Sequence, residues 1–62
     1  MKYSELKKIL REYGCYKVGE GSSHEIWFSP ISNRKFQVGR HSSEDVPKGT
    51  YNVILKQAGI KK

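Results

Sequence analysis

One histidine, His24, offers the clearest chemistry in this chain. It follows the short segment Gly21-Ser22-Ser23 and opens a run of β-forming residues that ends at Phe28. An imidazole has an ordinary pKa of about 6.5, so it can take up and return a proton near neutral pH. Metal-free RNA cleavage needs a base for the ribose 2′-hydroxyl and an acid for the leaving 5′-oxygen, and imidazole suits both roles. The alternative is a structural histidine at the edge of the core, which spacing alone favours because His24 shares strand parity with Ile26.

Cationic and hydroxyl side chains elsewhere are candidates for holding a phosphate. Arg40 carries a permanent charge on a forked guanidinium that matches phosphate oxygens. Its neighbour His41 is either a second proton-transfer group or, as spacing favours, a solvated turn residue. Ser23 can offer a hydroxyl beside His24. Lys17 and Lys35 lie on predicted strands, where they are candidates for a substrate track.

The remaining polar and aromatic residues have simpler expected roles. Trp27 is expected on the uncovered face of the sheet, where its ring would stack on a base or contact a protein partner. Glu25 is expected to be solvated. Lys7, Lys8 and Arg11 occupy the polar side of the predicted first helix and are expected to face solvent.

Composition limits the class of protein. The 62 residues fit one domain, and 12 Lys and Arg against 6 Asp and Glu give a net charge of +6. This charge favours an anionic partner, since lysine and arginine release counterions when they neutralise phosphates, although excess charge also keeps a small domain soluble. A domain of this size has little core to wall a deep cavity, so a substrate is expected to lie across an open face.

Several functional classes lack support in the sequence. Cys15 is the only cysteine, so an intrachain disulfide is excluded, and no His or Cys spacing indicates a metal site. No nucleotide-binding glycine motif, nucleophile elbow, signal peptide or membrane-length apolar run is present. We therefore expect a cytoplasmic protein without a metal or cofactor.

Two helices are predicted at the ends of the chain. The first spans 4–13, with Ser4 as its N-cap and Gly14 as its stop signal. The second begins near Pro47 and ends at Gly59, after which Ile60 folds back onto it. Each has one apolar stripe at helical spacing; the stripes contain Leu6, Ile9, Leu10 and Tyr13 in the first helix and Tyr51, Ile54, Leu55 and Ala58 in the second.

Three short strands are predicted between the helices, at 15–18, 24–28 and 34–39. A turn at 19–22 and a five-residue loop at 29–33 separate them, and the spacing suits an antiparallel meander. Phe36 and Val38 are expected on the buried side of the third strand. The order α-β-β-β-α predicts an α+β domain in which two helices cover one face of a three-stranded antiparallel sheet. This order resembles the double-stranded-RNA-binding fold.

Four stretches together resemble the HicA toxin family of bacterial and archaeal mRNA interferases. They are the helix Leu6–Leu10 with its stop at Gly14, the segment Gly21–Trp27, the strand end Phe36–His41 and the closing helix Gly49–Ile60. The run Gly-Thr followed by Ile-Leu-Lys-Gln-Ala-Gly is the most specific piece. The resemblance covers nearly the whole chain and implies one domain over 1–62 with a double-stranded-RNA-binding-like fold.

The resemblance also implies a function. It implies mRNA as the substrate, one catalytic histidine that maps onto His24, and a cognate HicB antitoxin that covers the site. The resulting hypothesis is a metal-independent endoribonuclease toxin in which Lys17, Arg40 and His41 hold the phosphate and Ser23 orients it, with no membrane or DNA partner for this chain alone. The alternatives are a non-catalytic RNA-binding module of the same fold and a small protein whose basic surface contacts only another protein.

Overall fold

Two helices and three strands form in the predicted order. A computed structural model describes residues 1–61, and Lys62, the last residue of the predicted domain, lies outside this range. The elements are α1 (Tyr3–Glu12), β1 (Tyr16–Glu20), β2 (His24–Ser29), β3 (Arg34–Gly39) and α2 (Lys48–Ala58). The strands form an antiparallel sheet in the order β1-β2-β3. The predicted α-β-β-β-α architecture is therefore confirmed.

Helix α1 begins one residue earlier than predicted. The N-cap is Lys2, whose backbone N–H donates to Glu5 Oε1 at 3.2 Å, while Ser4 lies in the first turn. Backbone carbonyls of the 40–47 connection accept from the N–H groups of Tyr3 and Ser4. These long-range bonds satisfy the N–H groups of Tyr3 and Ser4, so the N-cap residue needs no side-chain acceptor of its own. At the other end Gly14 has a φ of 87° and stops the helix, as predicted.

The first two strands are longer than predicted. Gly19 and Glu20 pair with β2 instead of forming a turn. Val18 is a β-bulge, since its neighbours Lys17 and Gly19 pair with consecutive residues of β2. Ser29, which was expected in the hairpin loop, is the buried last residue of β2. β3 matches its prediction in full.

One face of the sheet packs on both helices and forms the core. The prediction for Trp27 is wrong, because its side chain is only 1% exposed and faces the helices. Trp27 pairs with Phe36, and directly paired residues of antiparallel strands point to the same side. The predicted burial of Phe36 and Val38 is confirmed. The buried core consists of Leu6, Leu10, Cys15, Trp27, Phe36, Val38, Val46, Ile54, Leu55, Ala58 and Ile60.

The other face of the sheet is open. The alternation along β2 places His24, Ile26 and Phe28 on this face, opposite Trp27. The rings of Tyr16 and Phe28 lie 5.7 Å apart there, and Tyr16 is exposed. Within residues 1–61, no helix has the length and apolar character needed to cross a membrane.

The end of α2 is attached to the β2–β3 loop. Ser29 Oγ donates to the carbonyl of Ala58 at 2.5 Å, and Ser32 Oγ donates to that of Gln57 at 2.6 Å. The predicted stop is confirmed, because Gly59 has a φ of 75° and the N–H of buried Ile60 donates to the helix carbonyl five residues earlier. The sheet and α2 thus hold a fixed relative position.

Candidate functional site

His24 is exposed at the start of β2, as the catalytic hypothesis requires. The N–H of Gly21 donates to the His24 carbonyl at 2.7 Å and closes the turn before the strand. Ser23 Oγ lies 3.2 Å from His24 Nδ1. This contact fixes one ring nitrogen and leaves Nε2 directed away from the Ser23 hydroxyl. The core-edge interpretation of this histidine does not hold.

Arg40 lies against the turn that carries His24. Gly39 is the register partner of His24, so the next residue, Arg40, leaves β3 beside that turn. Arg40 Nη1 donates to the carbonyl of Ser22 at 3.2 Å. The tertiary structure therefore brings a permanent positive charge to the Ser-Ser-His segment. The guanidinium has five N–H donors, so four remain for an anionic ligand.

Lys17 lies near the same end of the sheet but is already paired with carboxylates. Its ammonium contacts Glu20, and it lies 3.8 Å from Glu25 Oε2. The hydrogen bond to Glu20 raises the pKa of Lys17, and the same bond lowers the pKa of Glu20. Both groups are exposed, so water screens this pair. A phosphate would therefore compete with Glu20 and Glu25 for the ammonium of Lys17.

His41 is the least constrained of the predicted site residues. It is exposed in the connection after β3, and its backbone carbonyl accepts from the N–H of Glu44 at 3.1 Å. It lies two residues beyond Gly39, which pairs with His24. Register thus places His41 at the same end of the sheet as His24, while its ring makes no hydrogen bond to any of residues 1–61.

Glu25 and Lys7 form a buried ion pair behind the histidine, and both solvent-facing predictions are wrong. Lys7 is 5% exposed, and its Nζ lies 3.2 Å from Glu25 Oε1. The same Nζ donates to Ser42 Oγ at 3.1 Å and to the Arg40 carbonyl at 3.4 Å. Trp27 Nε1 donates to Glu25 Oε1 at 3.0 Å. This network links α1, β2 and the connection after β3 next to the candidate site.

The sequence contains only a weak indication of the pair between Lys7 and Glu25. Glu25 has the strand parity of Trp27, and Lys7 adjoins the apolar stripe of α1 between Leu6 and Leu10. Once Trp27 is known to face the helices, Glu25 must face them too, and a buried carboxylate requires a partner. The other two cations of α1, Lys8 and Arg11, are exposed as expected. The guanidinium carbon of Arg11 also lies 5.3 Å from the Trp27 ring centroid.

A groove of about 810 Å³ lies between α2 and the free edge of β3, where the His24 side chain on the open face also reaches its lining. Lys35 also lines it, so one of the two predicted track lysines lies in the same groove as the histidine. Most lining side chains are exposed, which agrees with the expectation of an open binding face. No three His, Cys, Asp or Glu side chains within residues 1–61 form a cluster able to hold a metal ion.

Comparison with known proteins gives one family and one curated relative. Residues 3–60 match the model of a family described as the HicA toxin of bacterial toxin–antitoxin systems. The chain is 33% identical over 61 residues to a protein of Photorhabdus laumondii named probable mRNA interferase HicA 2, covering 98% of this chain and all of the relative. No solved structure matches.

Proposed function

The chain belongs to the HicA toxin family, and on that premise we propose that it is a toxin that cleaves mRNA. The observation that carries this proposal is the exposed His24, held by Ser23 on a turn that Arg40 contacts. The relative named as a probable mRNA interferase supports the same substrate class. The net charge of +6 suits an anionic polymer.

The reaction that these groups support is an internal transesterification of RNA. His24 accepts the proton of a ribose 2′-hydroxyl while the 2′-oxygen attacks the adjacent phosphorus. The bond from phosphorus to the 5′-oxygen breaks, and the imidazolium returns the proton to that oxygen. The products are a 2′,3′-cyclic phosphate and a 5′-hydroxyl, so atoms and charge balance without water. Since one imidazole supplies both proton transfers, the proposal requires no metal ion.

The neighbouring cations would stabilise the charge on the phosphate. Arg40 approaches with its free guanidinium edge, and Lys17 exchanges Glu20 for a phosphate oxygen when RNA binds. His41 adds a contact from the connection after β3. Ser23 orients the imidazole through Nδ1, so that Nε2 is the nitrogen that exchanges protons with the substrate. Fixed donors at the developing charge lower the barrier without reorganising during the reaction.

Substitution of His24 tests the assignment. His24→Ala removes the imidazole, and His24→Asn keeps a polar acceptor near Ser23 but cannot exchange protons. Both variants should lose about 10²–10⁴-fold in turnover of a labelled transcript, measured in EDTA. Asn33→Gly, in the β2–β3 loop, is a folded control that should retain wild-type turnover. Equal turnover in wild type and His24→Ala would show that the catalytic assignment is wrong.

The same assay distinguishes a nuclease from a non-catalytic RNA-binding module. A non-catalytic RNA-binding module would bind the transcript with wild-type protein but leave it intact in EDTA. The proposed nuclease produces many cleavage events per protein molecule. Such turnover cannot arise from binding alone.

We further propose that an HicB-type antitoxin neutralises the toxin by covering His24. The exposure of this ring and the toxin–antitoxin description of the family support the proposal. An mRNA substrate also favours the cytoplasm as the place of action.

A further inference from the structure

The groove between α2 and β3 has two chemically distinct ends. Lys35 pairs with Phe28 and Gly39 pairs with His24, so β3 runs from the lysine end to the histidine end. Gln57 lies at the lysine end, because Ser32 of the β2–β3 loop donates to its backbone carbonyl at 2.6 Å.

Tyr3 closes the groove at the histidine end. A Cβ on Gly39 would lie 2.6 Å from Tyr3 Cζ, so only glycine lets this ring approach the strand. Both residues line the groove together with His24. The Tyr3 ring and the His24 imidazole therefore form one end of the groove.

The wall of the groove combines apolar side chains with three neutral polar ones. Gln37 lies on β3 between the two ends, while Thr50 and Gln57 line the groove from α2. All three are exposed, and Lys35 is the one lysine or arginine among the lining residues that the structure describes. Amides carry both donors and acceptors, which match the edges of nucleobases better than they match phosphates.

The length of β3 along the groove limits the number of nucleotides that can bind there. From Lys35 to Gly39 the strand covers about 13 Å at roughly 3.3 Å per residue. A nucleic-acid strand advances at least about 3.4 Å per nucleotide when stacked. The groove therefore accommodates at most about four nucleotides of one strand. Unpaired RNA exposes base edges that side chains can recognise, whereas a paired helix hides them.

We propose that this groove binds the unpaired nucleotides next to the scissile phosphate and that Gln37 and Gln57 recognise their bases. The inference rests on the proposed function for the position of the cut, at His24. Lys35 contacts a flanking phosphate, and the ring of Tyr3 stacks on the base nearest to the cut. The amides thus give the enzyme a sequence preference.

Cleavage of a randomised RNA library tests the assignment of the amides. Ends produced by wild type and by Gln37→Ala/Gln57→Ala are sequenced. The wild type should show a preference within about four nucleotides of the cut, and each lost amide should reduce discrimination by about 5- to 150-fold. Asn52→Ala, an exposed amide on α2 outside the groove lining, should keep the wild-type profile. An unchanged profile in the double variant would overturn the inference.

A binding measurement distinguishes this inference from the nuclease proposal. Fluorescence anisotropy measures the affinity of an eight-nucleotide unpaired RNA for two proteins. The first is His24→Ala, and the second carries His24→Ala together with Gln37→Ala and Gln57→Ala. Weaker binding by the second protein supports the groove even if wild type cleaves nothing. Equal affinities would show that the RNA binds elsewhere. That result would overturn the proposed role of the groove, even if the wild type cleaves RNA. If the glutamine variants alter only inhibition by an antitoxin, the groove binds protein and the inference also fails.

Discussion

Glu25 joins three parts of the molecule through one carboxylate. It contacts Lys7 of α1 at 3.2 Å, accepts from Trp27 at 3.0 Å within its own strand, and lies 3.8 Å from Lys17 of β1. Its side chain is 13% exposed. The adjacent residue is His24, so the pair between Lys7 and Glu25 fixes the backbone that presents the imidazole. Removing one partner of such a pair is costly because it leaves the other charge buried.

The pKa of Glu25 predicts how the free energy of unfolding depends on pH. Burial alone would raise this pKa, but hydrogen bonds from Trp27 and Lys7 and the charge of Lys7 outweigh it, so the pKa lies below its ordinary value of 4.5. A carboxylate with a lowered pKa in the folded state stabilises the protein above the unfolded pKa, and this contribution is lost as pH falls through the folded pKa. The free energy of unfolding should therefore decrease at pH values below about 4.5.

Urea unfolding of Glu25→Gln measures this contribution. At pH 7 the variant should lose about 2 kcal/mol, typical of hydrogen bonds to a charged group. At pH 3 the difference from wild type should shrink, since the carboxyl of the unfolded chain then binds a proton and the stabilising advantage of the folded carboxylate decreases. Glu20→Gln is the matched control, because its pair with Lys17 is exposed and should contribute little. A difference that stays constant from pH 7 to pH 3 would contradict the role of this carboxylate.

Two serines connect the end of α2 to the β2–β3 loop. Ser29 is fully buried, and its Oγ also accepts from the backbone N–H of Ile31 at 3.2 Å. Ser32 bonds the adjacent helix carbonyl and belongs to the same loop. The last carbonyls of a helix have no partner within the helix, so these hydroxyls satisfy groups that otherwise need water. The contacts also set the distance between α2 and β3, and hence the width of the groove.

Replacing each serine by alanine separates burial from hydrogen bonding. Ser29→Ala should cost about 1–3 kcal/mol, because it leaves a buried carbonyl without its donor. Ser32→Ala should cost less than about 1 kcal/mol, since water can replace its hydroxyl. Thermal unfolding of the two variants provides the comparison. Equal losses would show that burial of the Ala58 carbonyl does not determine the cost.

For the whole molecule, ion pairs determine how many lysine and arginine side chains are free to contact RNA. The excess is +6, yet Lys2, Lys7 and Lys17 each pair with a carboxylate. Arg40 and Lys35 lie beside the histidine and along the groove, respectively. These pairs leave the net charge of +6 unchanged, but they reduce the number of cations that can contact RNA without exchanging a carboxylate partner.

Salt dependence of RNA binding measures this available charge. Contacts from Lys17, Lys35 and Arg40 to three phosphates give a slope of about −2 for log affinity against log salt, at about −0.7 per contact with single strands. Lys35→Ala should reduce the magnitude of the slope by about 0.7. Lys56→Ala, on α2 outside the groove lining, should leave it unchanged. Equal slopes for wild type and Lys35→Ala would remove this lysine from the substrate track.

The amino-acid sequence determined the element order and placed most element ends within one residue, because these depend on local signals. Apolar periodicity, Gly14 and Gly59 predicted both helices, and the Pro-Asn loop predicted the return of β3. The antiparallel order also allows the start of β2 to lie near the end of β3. It does not predict the exposure of His24, because spacing alone favours a position at the edge of the core. The catalytic role remains a prediction.

Tertiary structure alone decided which sheet face the helices cover. Period-two alternation defines two faces but does not say which one the helices cover, and the predicted face for Trp27 is the wrong one. That one choice also determines the burial of Glu25, its pairing with Lys7 and the partners of Lys17. The Val18 bulge, the capping of α1 by the 40–47 connection and the groove arise likewise from contacts between segments far apart in the chain. Local residue preferences contain no information on those distances, because packing between elements sets them.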